Sequence, residues 1–88
     1  MSRRVARNPM QISTAVDGRY VVLSSEHDEF YDLNDTASAV WDAIATPTTV
    51  AEVVAVLVAR FAVEPEVCER EVVAVLERLA ERGMVDLN

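Results

Sequence analysis

The chain has 88 residues, 51% of them apolar, enough for one domain with a modest core. Its 15 acidic residues outnumber 8 basic ones, none of them lysine, for a net charge of −7. Arg3, Arg4 and Arg7 precede residue 10 without an acid, so residues 10–88 set five arginines against fifteen acids, −10. A body this acidic repels phosphate backbones, which argues against nucleic acid and favours a basic or neutral partner.

A single cysteine, Cys68, excludes an internal disulfide and fits a reducing compartment. No apolar run approaches the roughly 20 residues of a membrane span, so no membrane partner is expected. The basic start is not followed by an apolar stretch, unlike a secretion signal. A soluble cytoplasmic protein is the expectation. Residues 1–9, polar and closing on Asn8-Pro9, are predicted to be a flexible basic tail, with the folded domain over residues 10–88.

Met10, Ile12, Thr14 and Val16 alternate with polar or small neighbours, the pattern of a half-buried strand. Asp17-Gly18 is a hairpin signal, because glycine tolerates positive φ. Arg19–Ser24, with Tyr20-Val21-Val22-Leu23, predicts a second, central strand. A polar turn over Ser24–Glu29 leads to a third strand, Phe30–Leu33, which completes a three-stranded antiparallel meander. Asn34 and Asp35 are N-capping residue types. They open a first helix over Asp35–Ala45 that buries Ala37, Val40, Trp41 and Ile44 and ends before Pro47.

Thr49 and Glu52 have the spacing of a capping box for a second helix. Its apolar face is Val50, Val53, Val54, Leu57, Val58 and Phe61. Pro65 opens a third helix, which runs to Arg82 and stops at Gly83. Its core stripe is Cys68, Val72, Val75, Leu76 and Leu79. Met84–Leu87 is a short extended end. The order β-β-β-α-α-α gives the α+β class, with a three-stranded antiparallel sheet followed by three helices in a winged-helix-like arrangement.

Catalysis needs converging groups, and none converge in this sequence. His27 sits in the acidic turn, Cys68 falls on a core stripe, and no spacing suits zinc. Only Gly18 and Gly83 are glycines, so there is no phosphate-cradling loop. A non-enzymatic binding module without cofactor or metal is expected. The last strand of the meander has an open edge, undefended by proline or lysine. Glu26, Asp28, Glu29, Asp32 and Asp35 near it either guard the edge by charge or make an acidic lip that would select a basic peptide strand. On the third helix, Arg78 and Arg82 either complement the helix dipole or line a groove beside that edge.

The run Tyr31-Asp32-Leu33-Asn34, Ala37 and Val40-Trp41 resembles the PqqD-like family of peptide chaperones, or precursor-peptide recognition elements. Pro47-Thr48-Thr49-Val50, Val53, Val72, Leu76, Leu79 and Gly83-Met84-Val85 extend the likeness over residues 10–88. The resemblance implies binding of the leader segment of a ribosomally synthesised precursor. The leader would add as a strand to Glu29, Phe30, Tyr31, Asp32 and Leu33. The facing wall would be drawn from Glu71, Ala74, Val75, Arg78, Leu79 and Arg82. Glu29–Leu33 departs from the Leu-x-Pro-Glu-like run of the quinone-cofactor branch. The Tyr-x-Leu-Asn run with a following Trp looks more like stand-alone members from lasso-peptide pathways, whose partners are a separate leader peptidase and a cyclase. The rival readings are a chaperone of another peptide-modifying pathway, such as the quinone pathway with its radical SAM enzyme, and a winged-helix DNA-binding protein. Against the last, Arg70, Arg78 and Arg82 face Glu66, Glu69, Glu71, Glu77 and Glu81 on the would-be recognition helix.

Overall fold

The computed structural model describes residues 3–9, 11–24 and 29–88, with the side chains of Ser24 and Glu29 outside that description. Glu26, His27 and Asp28 therefore lie outside the described residues. The chain is α+β, as expected. Strands β2 (Gln11–Val16), β3 (Arg19–Ser24) and β4 (Glu29–Asp32) form an antiparallel sheet in that spatial order. Helices α1 (Asp35–Ala43), α2 (Val50–Phe61) and α3 (Pro65–Glu81) follow. Asp17 and Gly18 close the β2–β3 hairpin with φ of 52° and 81°, both positive, as a tight primed turn needs. Ile12, Leu23 and Phe30 stand in one cross-strand row, and Ser13, Val22 and Tyr31 in the next. Val22 of the second row is fully buried, whereas Ile12 and Phe30 of the first are exposed on the other face.

Residues 4–7, expected in a flexible tail, form a strand. β1 (Arg4–Arg7) lies between β5 (Thr48–Thr49) and β6 (Val85–Leu87) in a second antiparallel sheet. Val5 is opposite both Thr48 and Leu87 and is 2% exposed, so one apolar side chain between arginines anchors the segment. Arg7 is partly buried, while Arg3 and Arg4 stay exposed. The Arg7 guanidinium lies 4.4 Å from the Trp41 ring centroid and donates to the Trp41 carbonyl. The Arg3 carbonyl accepts from the Val50 amide at 2.8 Å, and Asn88 donates to the Arg4 carbonyl at 3.0 Å.

Trp41, 1% exposed, shares the core with Val40, Ile44, Leu76 and Met84. The α3 stripe Cys68, Val72, Val75, Leu76 and Leu79 is buried throughout, as its spacing predicts. On α2, Val50, Val53 and Leu57 are buried and Val54 and Val58 partly so. Phe61, expected on that face, is exposed at the last helical position, beside the left-handed Ala62. Thr49 caps α2 by accepting from the Glu52 amide at 3.3 Å, but the Glu52 carboxylate accepts from the Thr48 hydroxyl, so the box is made by two threonines. After α3, the Gly83 amide donates to Ala80 at 3.0 Å and the Met84 amide to Leu79 at 2.9 Å. Gly83, at φ 72°, thus ends the helix in a Schellman motif and turns Met84 and Val85 back into the core.

Val5→Ala removes two buried methyl groups and should lower the unfolding free energy by about 2 kcal/mol in urea titration. An unchanged midpoint and slope would return residues 4–7 to the status of a tail.

Candidate functional site

The junction of β4 with α1 is built from backbone bonds and one hydroxyl. The Leu33 amide donates to the Tyr20 carbonyl at 2.9 Å, closing β4 onto β3. Asn34 then caps α1, its side-chain oxygen accepting from the Ala37 amide at 2.9 Å. One turn into the helix, the Ser38 hydroxyl accepts from the Tyr20 amide at 3.0 Å and donates to the Leu33 carbonyl at 3.0 Å. Ser38 is 4% exposed; its bond to Leu33 is buried and that from Tyr20 partly so. The start of β3, the end of β4 and the first turn of α1 therefore meet at a single oxygen. Ser38 was missed in the sequence, where its one signal was a polar residue at a core-facing position between Ala37 and Val40.

The Leu33 bond also fixes which way β4 faces. Along an antiparallel strand, successive residues direct their N–H and C=O groups to opposite edges. With Leu33 bonded to β3, the backbone groups of Phe30 and Asp32 point to the outer edge. β4 is the last strand of its sheet, and among the described residues no strand follows it there.

α3 faces this edge with Val75, Arg78, Leu79 and Arg82, a stripe at i, i+3, i+4 and i+7. Strand and helix enclose an open groove of about 300 Å³. Leu33, Ala37, Val75 and Leu79, all buried, give it an apolar floor. Its rim is Phe30, Asp32, Arg78 and Arg82, with Phe30 74% exposed. The Arg82 guanidinium lies 4.8 Å from the Tyr31 ring centroid, a cation–π contact between helix and strand.

Eight of the eleven residues singled out in the sequence line this groove: Phe30, Tyr31, Asp32, Leu33, Val75, Arg78, Leu79 and Arg82. Asn34 and Ala37 join them; the sequence marked both as residues that build the first helix, one as cap and one as core. Glu71 and Ala74 are exposed on α3 outside the groove, because β4 is only four residues long and faces the following turns. Glu29 belongs to β4, and its side chain lies outside the described residues. Of the expected acidic lip, Glu26, Asp28 and the Glu29 side chain lie outside the described residues, and the two described members part company. Asp32 lines the groove, whereas Asp35 pairs with Arg19 at 3.3 Å away from it.

Elsewhere, Cys68 is 3% exposed and burial pushes its thiol pKa up, which suits a packed side chain and not a thiolate nucleophile. Tyr20 donates to Asp42 at 2.9 Å, and that bond raises its phenol pKa. Among the described residues no three His, Cys, Asp or Glu side chains could share a metal ion. No described helix is long and apolar enough to cross a membrane.

An edge strand held against a helix over an apolar groove defines a small α+β domain of one particular class. Residues 19–85 match the family described as coenzyme PQQ synthesis protein D, and the chain belongs to this PqqD family. A comparison with curated protein sequences gives no match. Among solved structures, the chain is similar to lasso peptide synthetase B1 complexed with the leader peptide. The two share 27% identity over 93% of this chain and 96% of that one, at a TM-score of 0.81. TbiB1 in complex with the TbiA(beta) leader peptide has the same fold, at 20% identity, with 92% and 94% of the chains covered and a TM-score of 0.86. So does the PqqD truncation of Methylobacterium extorquens PqqCD, a stand-alone recognition element, at 21% identity, with 97% and 88% covered and a TM-score of 0.74.

Ser38→Ala leaves the Tyr20 amide and the Leu33 carbonyl buried without that partner. It should cost about 1–3 kcal/mol of unfolding free energy in urea titration. A cost below about 0.5 kcal/mol, the range of an ordinary surface change, would mean that the hydroxyl does not hold the junction.

Proposed function

We propose that this protein binds the leader segment of a ribosomally synthesised precursor peptide and presents it to modifying enzymes of a lasso-peptide pathway. The leader adds as a strand to the outer edge of β4 and lays alternate side chains into the groove against α3. The observation that carries this reading is the outward direction of the Phe30 and Asp32 backbone groups along an apolar groove. Main-chain bonds to those residues set the register of the leader. The floor of Leu33, Ala37, Val75 and Leu79 takes its apolar side chains. That two similar structures are complexes with leader peptides supports a leader as the ligand. The 27% identity to a lasso peptide synthetase B1 and the Tyr31–Asn34 run favour the lasso pathway over the quinone pathway.

The chain acts by binding, without catalysis of its own and without a cofactor. Cleavage and ring closure fall to a separate leader peptidase and a cyclase, in the cytoplasm where precursor peptides are made. Such peptide modes reach roughly micromolar to nanomolar dissociation constants, about −8 to −12 kcal/mol.

Two proline substitutions separate the edge from the fold. Asp32→Pro removes an outward N–H and no β3–β4 ladder bond, so the domain should stay folded while leader affinity falls at least about tenfold. Tyr31→Pro removes an inward ladder donor and should lower stability itself. Circular dichroism and fluorescence anisotropy with the labelled leader of a precursor encoded beside the gene read both effects. Unchanged affinity in folded Asp32→Pro would rule out strand addition at this edge.

A further inference from the structure

Two arginines line the groove, and neither pairs with a described carboxylate. Fifteen acidic residues are available to eight arginines, yet Arg78 and Arg82 have no carboxylate within ion-pair distance among the described residues. The one ion pair there is between Arg19 and Asp35, neither of which lines the groove. Arg78 and Arg82 sit one helical turn apart, where like charges repel. A helix dipole would favour one cation in the last turn, but it does not hold both heads over a groove. Arg82 instead lies across the groove on the Tyr31 ring, and Arg78 lines the same wall above Val75 and Leu79. Among described groove side chains the only opposing charge is Asp32, on the strand side.

We infer that Arg78 and Arg82 select an acidic side chain in the bound peptide. This rests on the strand-addition reading of the groove, and names the chemistry that reading leaves open. In an added strand, side chains two residues apart fall on the same face, roughly 6.6–6.8 Å apart. Arg78 and Arg82 are separated by about 6 Å along the helix axis, and Leu79 lies beside them. The peptide that fits therefore carries an aspartate or glutamate two residues from an apolar side chain. The apolar group rests on the floor and the carboxylate accepts from the guanidinium forks. The preference opposes the overall charge of the protein: an acidic body carries a cationic slot for an acidic strand. The net negative charge of the body disfavours an acidic peptide elsewhere, so the slot gives register as well as affinity.

The test is selection of a display library of random peptides on the purified protein, run in parallel on an Arg78→Gln/Arg82→Gln variant and on Arg70→Gln. Arg70 is exposed on α3 outside the groove and serves as the charge control. Circular dichroism checks that all three are folded. Enrichment of an acid two residues from an apolar residue, kept by Arg70→Gln and lost in the double variant, is the expected result. Changing that acid to its amide in an enriched peptide should then weaken binding roughly tenfold or more at low salt, and less at high salt. Enrichment of extended apolar peptides without an acid, or with a base at that place, would overturn the inference and leave the strand-addition reading intact. Failure to enrich any peptide that competes for the groove would overturn both.

Discussion

Everything at the groove depends on one buried hydroxyl. Ser38 takes the Tyr20 amide and gives its proton to the Leu33 carbonyl, so the sheet and the first helix share a fixed point. The bond that Leu33 makes to Tyr20 beside it sets the phase of β4. A phase shift of one residue would turn the Phe30 and Asp32 backbone groups inward and put Tyr31 on the solvent face. The outer edge of β4 is thus chemically defined, not merely left over. The same junction plants Ala37 beside Leu33, and α3 packs Val75 and Leu79 against them, so strand, helix start and facing helix build the floor together.

An open strand edge invites unwanted pairing, and the chain limits that hazard by shape. β4 is four residues long, and α3 stands across from it with arginines at the rim. A partner must therefore be a single extended segment that enters between strand and helix, carrying side chains that suit an apolar floor and a cationic wall. The exposed Phe30 at the lip belongs to the same constraint. Its backbone faces the edge while its side chain joins Ile12 on the outer face of the sheet.

The sequence made the groove legible where periodicity and caps were strong. Cys68, Val72, Val75, Leu76 and Leu79 were placed correctly because a buried helix face repeats at 3.6 residues. The Asp17-Gly18 turn and the Asn34 cap were readable from residue type alone. Arg4–Arg7 were not. A four-residue strand between arginines has almost no period to detect, and its burial comes from Thr48 and Leu87, far away in sequence. Ser38 showed only as a polar residue at a core-facing position, which does not name Tyr20 and Leu33 as its partners. Of the acidic lip, the described Asp32 and Asp35 diverge, because counting charges along a segment does not tell which way they point. Asp35 opens a helix and leans to Arg19, while the arginines facing the groove come from residues more than forty positions later.

The most direct measurement is backbone amide hydrogen exchange by NMR with and without the leader peptide. The amides of Phe30 and Asp32, directed outward, should exchange with solvent in the free protein and be protected when the leader is bound. Those of Tyr31 and Leu33, directed toward β3, should change far less. Saturable leader binding that leaves Phe30 and Asp32 unprotected would contradict strand addition at β4 and move the site to another surface.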